Sequence, residues 1–325
     1  MSIKSYVFHI IGILFIVTSC STNPPQVDDF WASCAELPAG RASACAATLN
    51  GKAYVFGGRD SAGIYLNDLW QYDPVQDTWT SLGNTPLKAR VNAAVTAVGD
   101  ALYIGLGYSA KHAYNDSAYQ RDWWRFTPEV RQWTRLTDFP NKNTVAATLA
   151  VIGNDIYALY GCGYAQQKEV WCYDTASDLW SQLPAAENAL PRAFGCTGAV
   201  CANVLYFGTG FNSKNLRDWY MVTLPDNQWT PRKEISGKGR EFSACTASND
   251  YVYLFGGRYF GGDMTGGEVF DTYLRYNPST DSWAFGKMPC GRAENQIAFT
   301  LNGTIYFGLG ENACGQPINK LYRLE

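Results

Sequence analysis

At 325 residues, with a net charge of −3 and only 17% charged side chains, the chain lacks the basic footprint that nucleic-acid binding requires. Its 31 glycines and 15% aromatic content fit an all-β chain with many tight turns. Length alone would allow two domains, a prior that a repeat at fixed period would override.

The chain opens on a targeting segment, residues 1–19, which is set aside before the fold is read. Lys4 supplies the positive start, and Tyr6 to Val17 form an apolar run. That run is too short for a membrane-spanning helix, which needs ~20 residues. Val17-Thr18-Ser19-Cys20 ends it and resembles the bacterial lipobox, in which the cysteine becomes the lipid-modified first residue. An ordinary signal peptide followed by a chance cysteine is the alternative. Ser21 implies, by the same resemblance, the bacterial outer membrane, with the lipid on Cys20 as the membrane attachment. Residues 20–29 then read as a polar, proline-interrupted tether.

From Arg41 onward one unit recurs. A small-residue run, Ala42 to Ala47, leads into Tyr54-Val55-Phe56-Gly57-Gly58, and after a polar loop come Trp70-Gln71-Tyr72 and then Trp79. The last element returns at Trp133, Trp180, Trp229 and Trp283, a period near fifty. A tyrosine with a glycine four positions on appears six times, at Tyr54/Gly58, Tyr103/Gly107, Tyr157/Gly161, Tyr206/Gly210, Tyr253/Gly257 and Tyr306/Gly310. Four strand-sized pieces at this period resemble the kelch repeat, which builds one propeller blade each time. The resemblance implies an all-β fold over residues 30–325, a six-bladed kelch-type β-propeller. Only the first and fifth units keep the Gly-Gly pair, Gly57-Gly58 and Gly256-Gly257.

The sixth unit stops at Glu325, short of its tryptophan, while Trp31 lies in phase at the other end. The amino-terminal strand within residues 30–38 is therefore expected to complete the last blade and close the ring, leaving no unpaired edge at a seam. The repeat tryptophans and tyrosines are assigned to blade-to-blade packing. Runs such as Ala93-Ala94-Val95-Thr96 and Ala146-Ala147-Thr148-Leu149 suit a crowded axis, where large side chains cannot converge.

Nine cysteines follow Cys20, an odd number, and Cys162 with Cys172 is the one disulfide pairing worth naming. Cys45, Cys196 and Cys245 fall in the small-residue runs and read as buried small hydrophobes. No C-x-x-C pair occurs, so no metal and no cofactor are expected. Galactose oxidase is also a kelch propeller, but its copper site uses two histidines. Beyond the leader's His9, this chain has only His112, so that chemistry is set aside.

Five of the six innermost strands are preceded by arginine: Arg41, Arg90, Arg192, Arg240 and Arg292, with Asn143-Thr144 in the third. The kelch resemblance puts these at one mouth of the central channel. Converging guanidinium groups need acids or an anion, and arginine suits carboxylate and phosphate. The reading therefore divides between ligand contacts, joined by Arg59, Arg217 and Arg258 on the adjacent loops, and internal pairing of each arginine. Two carboxylates for hydrolysis would come from Glu311, Glu294, Glu241 or Asp60, with no spacing to pair them.

A further resemblance is to the sialic-acid mutarotases, six-bladed bacterial kelch proteins with a Gly-Glu-x5-Arg pattern after a second strand. Here Gly210-Phe211 is followed by Arg217, and Gly310-Glu311 by Pro317, so the pattern is split between two blades. That resemblance implies Glu311 as the proton-transfer residue, with the arginines holding a carboxylate. The leading expectation is a non-catalytic envelope lipoprotein that recognises an anionic carbohydrate or an envelope protein through its arginine-lined face. The mutarotase or epimerase reading stands second and scaffolding third.

Overall fold

The computed structural model describes residues 24–109, 116–141, 144–161, 168–261 and 267–325. Residues 1–23, with Cys20 and the expected targeting segment, and Cys162, Lys111-His112, Asn143 and the glycine-rich stretch 262–266 lie outside the described residues.

Six four-stranded antiparallel sheets follow one another along the chain, each built from the axis outward. Blade 1 comprises Cys45–Leu49, Lys52–Phe56, Asp68–Asp73 and Thr78–Asn84. Blade 4 comprises Thr197–Cys201, Val204–Gly208, Trp219–Thr223 and Gln228–Arg232. Blade 6 holds Ile297–Leu301, Thr304–Gly308 and Leu321–Leu324, and its outermost strand is Trp31–Ser33 from the other end of the chain. Trp31 pairs with Leu324 and Ser33 with Tyr322, so the ring is closed as the repeat phase requires.

The core lies between blades. One cluster joins Phe299, Tyr306 and Leu321 of blade 6 to Val55 and Tyr72 of blade 1, with Cys34 and Leu37 between them. The closing strand adds Trp31, whose ring meets Phe255, Tyr273 and Phe307 edge-on at 4.9 to 5.6 Å. Such pairs add to simple area burial.

Polar staples reinforce the same interfaces. The outermost-strand indoles of Trp79, Trp180 and Trp283 donate to the backbone carbonyls of Ala35, Thr137 and Lys233 in the preceding blade, at 2.9, 3.2 and 2.8 Å. Beside each indole an aspartate accepts twice, from a tyrosine hydroxyl of its own blade and a backbone N–H of the preceding one. Asp77 takes Tyr72 and Ala35, Asp178 takes Tyr173 and Thr137, and Asp281 takes Tyr276 and Lys233. Blade-to-blade packing is thus the observed role of the repeat aromatics.

The glycine pattern has a sharper explanation than Gly-Gly. Two consecutive residues after each second strand take left-handed φ, and the first can carry a side chain, as Leu106, Tyr160, Thr209 and Leu309 do. The second is glycine in all six blades: at Gly310, φ +82°, an added Cβ would lie 2.5 Å from the carbonyl oxygen of Glu294.

Candidate functional site at the channel mouth

Each blade enters its innermost strand through one residue in the left-handed region: Ser43, Asn92, Ala146, Gly195, Phe242 and Asn295, φ 51° to 63°. Backbone hydrogen bonds join five of the six neighbouring pairs into a ring around the axis. Asn92 N–H donates to Ser43, Ala146 to Asn92, Phe242 to Gly195 and Asn295 to Phe242, and Ser43 donates to Asn295 across the closure, all at 2.9 to 3.2 Å. Below the ring the small side chains of all six innermost strands line an axial cavity of about 220 Å³, continued by one of about 360 Å³.

In five blades the residue preceding the ring position pairs with the loop that follows the second strand. Ala42 pairs with Arg59, Val91 with Tyr108, Phe194 with Phe211, Glu241 with Arg258 and Glu294 with Glu311. Backbone geometry is common to these pairs, so side-chain identity alone sets the chemistry of each sector. Blade 4 is aromatic there: Phe194 contacts Phe211 at 5.4 Å and Phe242 at 6.0 Å, and Phe211 contacts the exposed Phe260 at 5.5 Å.

Blades 5, 6 and 1 carry a charged arc. Arg258 Nε donates to Glu241 Oε1 at 2.8 Å and lies 3.6 Å from Glu294 Oε2. Glu311 is held by Arg59 and accepts from the Asn295 side chain at 2.9 Å. Three buried carboxylates therefore share two arginines, and among the described residues Glu241 Oε2 and Glu294 Oε2 have no hydrogen-bond partner, the latter being only ion-paired with Arg258. Burial pushes both carboxyls above their ordinary range, against the lowering effect of Arg258; Glu311 and Glu241 push Glu294 further up. Of the four acids considered from sequence, the fold thus gathers Glu241, Glu294 and Glu311. Asp60 instead accepts from the backbone of its own loop at Ala62 and Ile64.

The arginine series splits in register. Counting back two residues from the ring position gives Arg41, Arg90, Thr144, Ala193, Arg240 and Ala293, all buried. Arg192 and Arg292 fall one residue earlier and stay at the surface. Arg192 lies 3.9 Å from Glu169, and Arg292 donates to the Val269 carbonyl at 3.4 Å. Arg217 is also exposed, donating to Ile235 O at 2.9 Å and facing Glu234 at 3.5 Å.

Arg41 and Arg90 form fork-to-fork pairs with Asp68 and Asp122, at 2.8 and 3.0 Å and at 2.6 and 3.0 Å. In both, Nη1 also donates to the carbonyl of the first left-handed residue, Gly57 or Leu106. These two side chains are wall struts. Sequence reading missed their aspartates, although each stands two residues before an outer-blade tryptophan, as Asp68-x-Trp70 and Asp122-x-Trp124, a spacing that could have shown them.

Cys172 carries a free thiol; its proposed partner Cys162 lies outside the described residues. Among the described residues, no group of three or more His, Cys, Asp or Glu side chains is placed to hold a metal. No helix among them is long and apolar enough to cross a membrane.

Residues 30–144 match the KLHDC2/KLHL20/DRC7 Kelch-repeats domain and residues 144–185 match the Kelch motif. Over 255 residues, 77% of its length, the chain is 26% identical to Kelch-like protein 25 of Xenopus tropicalis, covering 41% of that protein. The rat protein of the same name is 30% identical over 253 residues, with the same coverages of 77% and 41%. N-acetylneuraminate epimerase of Pasteurella multocida is 39% identical over 79 residues, 22% of this chain and 21% of that protein. The chain spans about half or less of the length of the Kelch-like relatives it matches first.

Proposed function

From a six-bladed propeller built of kelch repeats, we propose a non-catalytic recognition module that binds an envelope protein or an anionic carbohydrate at its channel mouth. The observation that carries this reading is the charged arc. Buried carboxylates with unpartnered oxygens, beside the partly exposed Arg59 and Arg258, form a polar site that a partner's donors and acceptors would complete. The aromatic sector of blade 4 and the exposed Arg192, Arg217 and Arg292 extend the same face with groups suited to contacts. Cys20 is proposed as the lipid attachment to the outer membrane. Metabolic palmitate labelling that disappears in Cys20→Ala is the expected result, and persistent labelling would place any lipid elsewhere.

The test of recognition is capture of envelope components by the purified protein, comparing wild type with Arg258→Ala and Glu311→Gln. Identical capture by all three would remove the arc from the site. A second reading, sugar epimerisation with Glu311 moving the proton, is favoured by the similarity to the N-acetylneuraminate epimerase and by the acid cluster around Glu311. Its readout is anomer exchange of N-acetylneuraminate by NMR. Exchange that Glu311→Gln abolishes supports the enzyme; spontaneous-rate exchange with wild type rejects it.

A further inference from the structure

Arg240 occupies the same slot as Arg41 and Arg90 but lacks their aspartate. Its Nη1 donates to Gly256 O at 3.0 Å, the carbonyl equivalent to those of Gly57 and Leu106, so the guanidinium has the same placement. Where blades 1 and 2 present Asp68 and Asp122, blade 5 presents Thr272, whose backbone oxygen is the next acceptor at 3.4 Å. Among the described residues Nε has no hydrogen-bond partner, and the two acceptors of the guanidinium are backbone carbonyls, both reached by Nη1. The ring of Phe270 lies 4.2 Å from the guanidinium carbon and supplies only a weak substitute for a carboxylate.

The acids nearby are engaged elsewhere. Asp271 accepts from Lys287 at 2.8 Å, and Glu268 from Lys238 at 2.6 Å. Burial lowers the guanidinium to about 10, which still leaves it a cation at neutral pH. Glu268 acts on Arg240 through its charge alone, without a hydrogen bond; a buried cation without a hydrogen-bonded carboxylate is costly, whereas the same cation facing one in fork geometry is a strong recognition element.

We propose that Arg240 is a carboxylate seat: an acid group of the ligand takes the place that Asp68 and Asp122 fill in blades 1 and 2. This rests on the recognition reading above and narrows its ligand to one bearing a carboxylate, whether a uronic-type sugar or an acidic side chain of a protein.

The test titrates the full-length protein with D-glucuronate and with an acetylated glutamate-containing peptide at constant ionic strength, reading melting temperature and calorimetric affinity. Thr272→Asp should supply the missing internal partner, raise the melting temperature and weaken carboxylate binding about tenfold or more. Thr272→Asn, of the same shape without the charge, should bind as wild type. Binding of either probe that Asp removes and Asn retains supports the seat, and the preferred probe identifies the source. Silence of both probes with wild type overturns it, as does equal binding by Thr272→Asp or equal loss in Thr272→Asn. Should envelope capture still depend on Arg258 and Glu311 while both probes are silent, recognition stands and the carboxylate seat falls.

Discussion

Replacing Asp122 by alanine separates an arginine that holds the wall from one that holds a ligand. Arg90 is fully buried, and Asp122 meets both ends of its fork at 2.6 and 3.0 Å while also accepting from the Trp124 indole at 3.0 Å. Removing the carboxylate leaves a buried cation with only the carbonyls of Lys88 and Leu106. Breaking a buried pair from one side costs about 3–5 kcal/mol, a large part of the ~5–15 kcal/mol that holds a typical domain folded. Urea unfolding should show a lower midpoint at unchanged slope. The double variant Arg90→Met/Asp122→Ala should recover most of that loss, because a packed apolar side chain needs no counter-charge.

Acid titration checks the same pair. Burial pushes Asp122 up, but the hydrogen bonds and charge of Arg90 outweigh it and hold the carboxyl below its usual range; Asp68 behaves alike with Arg41. A depressed carboxylate contributes stability above its unfolded value, ~3.9, and loses it as pH falls through the lower folded value. Stability owed to these pairs should therefore be flat from neutral pH to about 4 and fall below it. An Asp122→Ala protein within ~1 kcal/mol of wild type would refute the strut assignment, since only an exposed pair is worth so little.

Trp31→Ala should cost about 3–5 kcal/mol, the usual range for truncating a large core aromatic. Because the strand closes the ring, the loss should appear in the single global transition; a separate early melt of blade 6 would disprove closure as a stabiliser. Thiol labelling of the native protein should modify the exposed Cys314 first. Cys45, Cys196 and Cys245 are half-buried in the wall of the axial cavity rather than fully buried as their small-residue runs suggested; with its thiol pushed up to about 12 by desolvation, Cys45 should label far more slowly than Cys314, and Cys245, pushed higher still, more slowly again. Rapid native labelling of either would show that the axial channel admits reagent.

Much of the architecture is written in the chain because repetition multiplies a weak signal. One tryptophan says little, but Trp79, Trp133, Trp180, Trp229 and Trp283 in phase with Trp31 specify blade number, strand order and closure. The six glycines four positions after a tyrosine are equally legible, since each takes a positive-φ backbone conformation, and at Gly58, Gly107, Gly210, Gly257 and Gly310 a close approach also excludes a Cβ. The arginines were legible as a group but not individually. Arg192 and Arg292 share a residue type with Arg41 and differ from it by one position in register, and one position turns a buried strut into a surface cation. Only the tertiary structure fixes that register, because the ring it is counted from is made by backbone hydrogen bonds between neighbouring residues, Ser43 through Asn295, with no common side chain. The gathering of Glu241, Glu294 and Glu311, from positions up to seventy residues apart, likewise follows from closing the blades around one axis, a distance that no local spacing encodes.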